Sequence, residues 1–282
     1  MPELAISLGT LIDEGTTRLR RSGASEPRRQ ALRIWTELGG SAEVFLQKEQ
    51  LADPAAAVRF QEAISRRAGG EPLAHVTGRC GFRRLTLVSD ARGLIPRPET
   101  EGLVDLLLQR VRTGRVADVG TGTGCIALSL AAEGGYDDVV AIDRSAAALA
   151  LARENRSTAP GWVSLVQGDL CAPLGRDSLD ALISNPPYLT VAEYDSLESS
   201  VREWEPAMAL VSGEDGMAAT ARLLAEAREV VKTGGWLALE VDCSRAATAA
   251  AQASAMGWTE VTIHMDLFGR ERYLLAQRSD TR

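Results

Sequence analysis

The sequence has 282 residues, 45% of them hydrophobic, and a formal net charge of −7. That is enough apolar material for one large domain, or for one large and one small. The acidic balance argues against a protein that grips duplex nucleic acid over a broad surface, and no apolar run reaches the roughly 18–20 residues of a membrane-spanning helix.

The opening MPELAISLGTLIDEG lacks a basic flank and a long apolar core, so no signal peptide is expected and the cytoplasm is the expected compartment. Residues 1–70 read as helices only. A first helix is predicted near 4–21. In SEPRRQALRIWTELGG, Ser25 is the expected N-cap, Pro27 lies in the first turn, Ile34, Trp35 and Leu38 are apolar, and Gly-Gly is the stop. DPAAAVRFQEAISRRAGG repeats that grammar, with Asp53 as cap, Pro54 after it and Gly69-Gly70 at the end. A small helical bundle follows. This stretch holds 10 basic and 9 acidic groups, a net of +1, against 21 and 29, a net of −8, in residues 71–282. Arg18, Arg20, Arg21, Arg28, Arg29 and Arg33 account for much of it. A solvated helix face explains them; a docking surface for an acidic or RNA-bearing partner is the alternative.

The period then changes. HVTGRCGFRRLTLVSD, with Phe82, Leu85 and Leu87 between turn-forming glycines, suits a short hairpin, and residues 71–97 read as the connection to a second domain spanning 98–282. There, strand-like segments (RVADVG, DVVAID, WVSLVQ, LDALIS, WLALEV, EVTIHMD, RYLLAQ) alternate with helices predicted at 99–112, 124–133, 145–156, 215–232 and 245–256. Such alternation implies an α/β fold: a doubly wound, mostly parallel sheet covered on both faces. Cys80, Cys125, Cys171 and Cys243 are far apart with no C-x-x-C pair, and the histidines are His75 and His264 only. Neither a disulfide framework nor a metal centre is expected; the histidines read as one buried or turn residue and one strand residue.

Between the first strand of this series and the next helix runs Asp118-Val119-Gly120-Thr121-Gly122-Thr123-Gly124. Glycines there allow a sharp turn and let a ligand approach the helix N-terminus with no Cβ in the way. Gly122, Gly124 and Ala127 also satisfy the looser dinucleotide pattern, so this loop alone leaves a dehydrogenase open. Asp143 ends the second strand, where a carboxylate can accept both hydroxyls of a ribose. Loop and acid together point to a nucleoside cofactor, NAD or S-adenosylmethionine, and Asp169 adds a polar group at the same sheet edge.

SNPPY follows the fourth strand. Asn185 offers a side-chain carbonyl acceptor, Pro186 a carbonyl that the Pro186-Pro187 pair holds rigidly, and Tyr188 a flat face for stacking. Two acceptors and a ring suit a planar –NH2 group whose nitrogen is a poor nucleophile. Hydrogen bonds from both its N–H groups would orient it and favour the positive charge that develops as it attacks a methyl group.

N-P-P-Y resembles the signature of methyltransferases that modify glutamine amides or the amino groups of adenine and cytosine. The whole chain, from about residue 10 to residue 277, resembles one branch of them: the protein-(glutamine) methyltransferases acting on class 1 peptide-chain release factors. The likeness rests on GEPLAHVTG (70–78), LIPRPETE (94–101), DVGTGTGCIAL (118–128), SNPPY (184–188), VREWEPAMAL (201–210), GEDGM (213–217) and DLFGRER (266–272). It implies a class I S-adenosylmethionine-dependent methyltransferase fold behind a small all-helical N-terminal domain that helps hold the release factor. It also implies S-adenosylmethionine as cofactor, with S-adenosylhomocysteine as product. The implied cofactor residues are Gly120, Thr121, Gly122, Thr123, Gly124, Asp143, Asp169, Leu170 and Asn185. Asn185, Pro186, Pro187 and Tyr188 would hold the glutamine, while Arg97, Glu99 and Thr100 would shape the pocket.

The sequence departs from the family at Trp204, where Tyr or Phe is usual, and at Leu170, where some relatives place an aromatic ring against adenine. Asp242 and Arg245 stand where Gly and Gln are common, so the loop after the fifth strand is open. Rival readings are a methyltransferase acting on a ribosomal-protein glutamine or on a flipped nucleobase, and a non-catalytic protein that binds the cofactor or a release factor.

Overall fold

The computed structural model describes residues 6–41 and 47–279. Contacts divide the chain into two units: residues up to Arg79 with Glu198–Trp204, and Cys80–Leu197 with Glu205 onward.

The first unit holds α1 (Leu8–Arg21), α2 (Pro27–Glu37), α3 (Pro54–Ala68) and α4 (Leu73–Thr77). Positions 4 and 5 of the predicted first helix lie outside the described residues; Ser7 caps α1, its hydroxyl accepting from the Thr10 N–H at 3.2 Å. Apolar residues at helical spacing, Leu8, Leu11, Ile12 and Leu19 of α1, Ile34 and Trp35 of α2, Phe60 and Ile64 of α3, close one core. Trp35 meets Phe60 edge-on, ring centroids 5.9 Å apart. Ser25 does not cap α2. Pro27 disfavours the helical conformation in the residue before it, and Glu26 adopts a left-handed one at φ 44° and takes the N-cap position. The Ser25 carbonyl instead accepts from the Gln30 side chain. Asp53 caps α3 as expected, its carboxylate accepting from the Ala56 N–H at 2.8 Å. Asp53→Ala should therefore lower the stability of the helical unit by about 1 kcal/mol, read as a lower urea midpoint with an unchanged slope. Of the arginine cluster, Arg28 pairs with Asp13 and Arg29 with Glu26.

The second unit begins with a two-stranded hairpin, β1 (Arg79–Phe82) and β2 (Leu85–Val88). Arg83 at its turn fastens it to the body through Asp105 and Glu133. There follow α5 (Pro98–Arg110), β3 (Arg115–Val119), α6 (Cys125–Glu133), β4 (Asp138–Asp143), α7 (Ala146–Arg156), β5 (Ser164–Gln167) and β6 (Leu179–Ser184). Next come α8 (Val191–Asp195), α9 (Ser199–Arg202, grouped with the first unit), α10 (Ala218–Val230), β7 (Val231–Glu240), α11 (Ala246–Ala255), β8 (Trp258–Met265) and β9 (Glu271–Arg278). The seven-stranded sheet has the order β5-β4-β3-β6-β7-β9-β8, parallel from β5 to β7, with β9 antiparallel to both its neighbours.

The apolar runs have a direct cause. Val116 of β3, Val139 and Ala141 of β4 and Trp236 and Ala238 of β7 face the layer of α5 and α6. Their chain neighbours Ala117, Val140, Ile142, Leu237 and Leu239 face that of α10 and α11. A strand buried on both faces has no reason to alternate with polar residues. His75 is buried in α4 and His264 lies in β8, the two environments expected. All four cysteines are free thiols. Among the described residues no helix is long and apolar enough to cross a membrane.

Candidate active site

Strands β3 and β6 are neighbours, yet the chain visits β4 and β5 on one side of β3 before returning to the other. Loops leaving the carboxyl ends of two such strands diverge, and the crevice between them is where open parallel sheets bind ligands. The register sets both loops at one height. Asp118 pairs with Ile183, so Gly120 and Asn185 emerge at the same level. Ser184 pairs with Leu239, which brings Glu240 of β7 level with Asn185.

A cavity of about 700 Å³ opens at this edge, within the roughly 300–1,000 Å³ of small-molecule clefts. Gly120, Gly122, Asp143, Asp169, Leu170, Asn185 and Pro187 line it. So do Arg92–Leu94, Val191 and Tyr194 of α8, Met208 and Arg222; Leu94 and Met208 lie in the segments LIPRPETE and VREWEPAMAL, and the others did not stand out in the sequence. Gly120, Gly122 and Gly124 have φ of 75°, 55° and 84°, a left-handed run that favours glycine. No atom lies within 4 Å of where a Cβ would stand on Gly120 or Gly122, so bare backbone faces open space. Leu170 is also left-handed, at φ 46°.

Thr121, Thr123 and Gly124 form the underside of the loop. The Thr121 hydroxyl donates to Asp118 Oδ2 at 2.6 Å, and the Ala127 N–H donates to the same oxygen at 3.1 Å, bracing the loop against the start of α6. Burial pushes Asp118 up to about 7 although both hydrogen bonds oppose it. Asp143 grips the loop from β4: Oδ2 accepts from the Gly122 N–H and Oδ1 from the Ser145 N–H, each at 2.9 Å. A carboxylate has lone pairs beyond these two bonds, so Asp143 keeps acceptor capacity toward the cavity. Asp169 Oδ2 accepts from Arg222 at 3.0 Å.

At the tetrad, Pro186 is buried, and Asn185, Pro187 and Tyr188 are half-buried. The Asn185 side-chain N–H donates to Thr100 Oγ1 at 3.2 Å, and the Thr100 hydroxyl donates to Glu240 Oε2 at 2.7 Å. Burial pushes Glu240 up to about 7, against the Thr100 hydrogen bond and Arg272. It also pushes the Tyr188 phenol to about 12, with the Glu240 carboxylate adding to the rise. That phenol stays protonated near neutrality.

Arg97 and Glu99 stand in the same neighbourhood. Arg97 is ion-paired with Glu205, whose other oxygen accepts from the Ile95 N–H at 3.0 Å. The Glu99 carbonyl accepts from the Tyr273 hydroxyl. The segments IPRPETE and EWEPA are thus tied together by Glu205, a buried carboxylate that sequence reading passed over. Glutamate before proline in an apolar setting was the available signal. Beyond β7, Arg245 makes a two-pronged pair with Glu193 of α8 at 2.7 and 2.8 Å. Its Nε donates to the Asp215 carbonyl at 2.7 Å, and Asp242 lies 3.2 Å away. The two departures after β7 therefore act together, strapping the helix that follows the tetrad to the start of α10.

Comparison with known proteins gives this geometry a family. Residues 98–200 match the Methyltransferase small domain and residues 10–78 the PrmC N-terminal domain. Proteins named release factor glutamine methyltransferase are similar over nearly the full length. The one from Deinococcus radiodurans is 41% identical over 97% of this chain and 99% of its own, and that from Moorella thermoacetica 38% over 98% and 100%. A third, from Nitratidesulfovibrio vulgaris, is 38% identical over 84% and 83%. Among solved structures, a methyltransferase from Pyrococcus furiosus superposes with TM-score 0.53 at 20% identity, over 69% of this chain and 89% of its own. The hMettl16 catalytic domain, solved with the MAT2A 3'UTR hairpin 6, gives 0.56 at 16% identity, over 83% and 86%. These two establish a shared methyltransferase fold, and the full-length relatives establish more: this chain belongs to the release factor glutamine methyltransferase family.

Proposed function

We propose that this chain transfers a methyl group from S-adenosylmethionine to the side-chain amide nitrogen of the glutamine in the Gly-Gly-Gln motif of class 1 release factors, in the cytoplasm. The observation that carries the reading is the placement of Asn185 and Pro187 on the rim of a glycine-lined cleft, one strand away from the loop that begins at Gly120.

The cleft fits the cofactor. Bare backbone at Gly120 and Gly122 would lie against it, Asp143 would take its ribose hydroxyls, and Asp169 and Leu170 would flank the adenine, Leu170 by apolar contact alone. When bound, the cofactor supplies an electrophilic methyl group. The chain's own task is then to present a weak nucleophile. Asn185 Oδ1 and the Pro186 carbonyl accept the two N–H bonds of the substrate amide, which holds its nitrogen lone pair toward the cleft. As that nitrogen becomes tetrahedral and positive, the same two acceptors bind it more strongly than the planar amide. Tyr188 offers a neutral face to the amide plane. No base is needed, because the methylated cation loses its extra proton to water readily. The helical unit would contribute release-factor docking, with its arginines as candidates for the contact.

Incubating the protein with methyl-labelled cofactor and purified release factor tests the reading. Label on the factor, abolished when its Gly-Gly-Gln glutamine becomes alanine, is the expected result; an unlabelled factor, or label that survives the change, would overturn it.

A further inference from the structure

Asn185 can serve an amide substrate only if its oxygen, not its nitrogen, faces the cleft. A primary amide carries a donor and an acceptor end of nearly equal size, and nothing within the tetrad chooses between them. The choice must come from outside. The Asn185 nitrogen donates to Thr100 Oγ1 at 3.2 Å, and the Thr100 hydroxyl donates to Glu240 Oε2 at 2.7 Å. Thr100 and Glu240 are 2% and 1% exposed, so water does not compete for these bonds. A carboxylate accepts only. Above about pH 7, where Glu240 is ionised, it therefore takes the single Thr100 proton, which leaves the Thr100 oxygen able to accept but not to donate toward Asn185. Flipping the Asn185 amide would set its oxygen against that oxygen, two acceptors with no proton between them. Arg272 holds the far side of Glu240, its Nη1 3.8 Å from Oε1, and is itself held by Asp266 at 2.8 Å.

We infer that Thr100 and Glu240 are positioning residues for methyl transfer, a two-bond chain that polarises Asn185 so that its amide oxygen faces the substrate. The inference rests on the proposed function, but it concerns a juxtaposition the motifs do not contain. Thr100 comes from the start of α5 and Glu240 from the end of β7, while Asn185 follows β6.

Thr100→Val keeps the size of the side chain and removes the hydroxyl. It should lower kcat for release-factor methylation by about 10-fold or more, with KM for the factor and the cofactor Kd within about twofold of wild type. Thr100→Ser, which restores the hydroxyl, should recover most of that loss. Glu240→Gln puts a donor beside the Thr100 hydroxyl, frees its proton to turn toward Asn185, and should also lower kcat. The Asn185 side-chain NH2 signal in a nitrogen-15 spectrum, assigned by its absence in Asn185→Ala, should be protected from exchange in wild type and Thr100→Ser and unprotected in Thr100→Val. A Thr100→Val kcat within twofold of wild type, a loss confined to KM or cofactor Kd, or a Thr100→Ser loss as large as that of Thr100→Val would overturn the inference. Should Thr100→Val not fold, Glu240→Gln decides: kcat within twofold of wild type overturns the proposal. If the wild-type protein leaves the factor unlabelled, the proposed function fails by itself, and the exchange protection of Asn185 in wild type against Glu240→Gln still decides the positioning chain.

Discussion

Asn185→Ala should lower kcat for release-factor methylation by about 10²–10³-fold, the loss typical of removing one preorganised group aimed at developing charge. The reason is differential binding. In the ground state the substrate amide nitrogen is planar, its lone pair delocalised, and its N–H groups donate weakly. At the transition state the nitrogen carries positive charge and those N–H groups are far stronger donors, so the Asn185 oxygen contributes most where the barrier is highest. Pro186 retains its carbonyl in the variant, which limits the loss. Cofactor affinity should fall only a few-fold, because Gly120, Gly122, Asp143 and Asp169 line the cleft and are untouched by the change. Thr100 keeps its bond to Glu240, so the fold should persist. Single-turnover kinetics with saturating cofactor, beside calorimetric titration of the cofactor, separate the two effects. A variant that methylates within tenfold of wild type would show that Asn185 does not carry the transfer.

The parts of this molecule legible in its sequence are those written locally. Val116-Ala117, Val139–Ile142 and Leu237–Leu239 are continuous apolar runs because each strand is buried on both faces, so strands and sheet class follow from the residues themselves. The glycine loop declares itself because a left-handed backbone at Gly120, Gly122 and Gly124 leaves little choice of residue. What escaped sequence reading is the set of polar bonds between distant segments. Thr100 to Glu240 spans 140 positions, and Ile95 to Glu205 spans 110. A buried glutamate at the end of a strand reads from sequence as a solvated strand end, and only the register of β6 against β7 brings it level with Asn185. The short helix Leu73–Thr77 was likewise hidden, since a single turn leaves no periodicity to count. Arg245 is the converse case. Its departure from the family was visible, but its partners Glu193 and Asp215 lie 52 and 30 positions away.

The buried carboxylates make the stability of the sheet unit depend on pH, and Asp118→Asn should remove the larger share of that dependence. Asp118 is fully buried, and its pKa of about 7 lies well above the ordinary carboxyl value, burial being the first cause. Between roughly pH 4, where the unfolded carboxyl titrates, and about 7, the folded chain holds a proton that the unfolded chain has lost. Stability must therefore fall as pH rises through that window and level off above it. Three pKa units at about 1.4 kcal/mol each set an upper bound of roughly 4 kcal/mol. Glu240, also near 7, acts with the same sign. Carboxylates held low by arginine, Glu133 by Arg83 first among its causes, act oppositely but only in acid, below the ordinary carboxyl range. A scan from pH 5 to 8 is thus dominated by the two raised groups. Asparagine cannot ionise, and its oxygen can still accept from Thr121 or Ala127. Urea unfolding of both proteins across that range should show the variant gaining on wild type by about 2–4 kcal/mol. The remaining fall should disappear when Glu240→Gln is added, leaving a shallow rise with pH from His264, whose imidazole pKa is held below its ordinary value by burial. Parallel wild-type and Asp118→Asn curves would mean that the brace beneath the glycine loop is ionised throughout, held so by the Thr121 and Ala127 bonds against its burial.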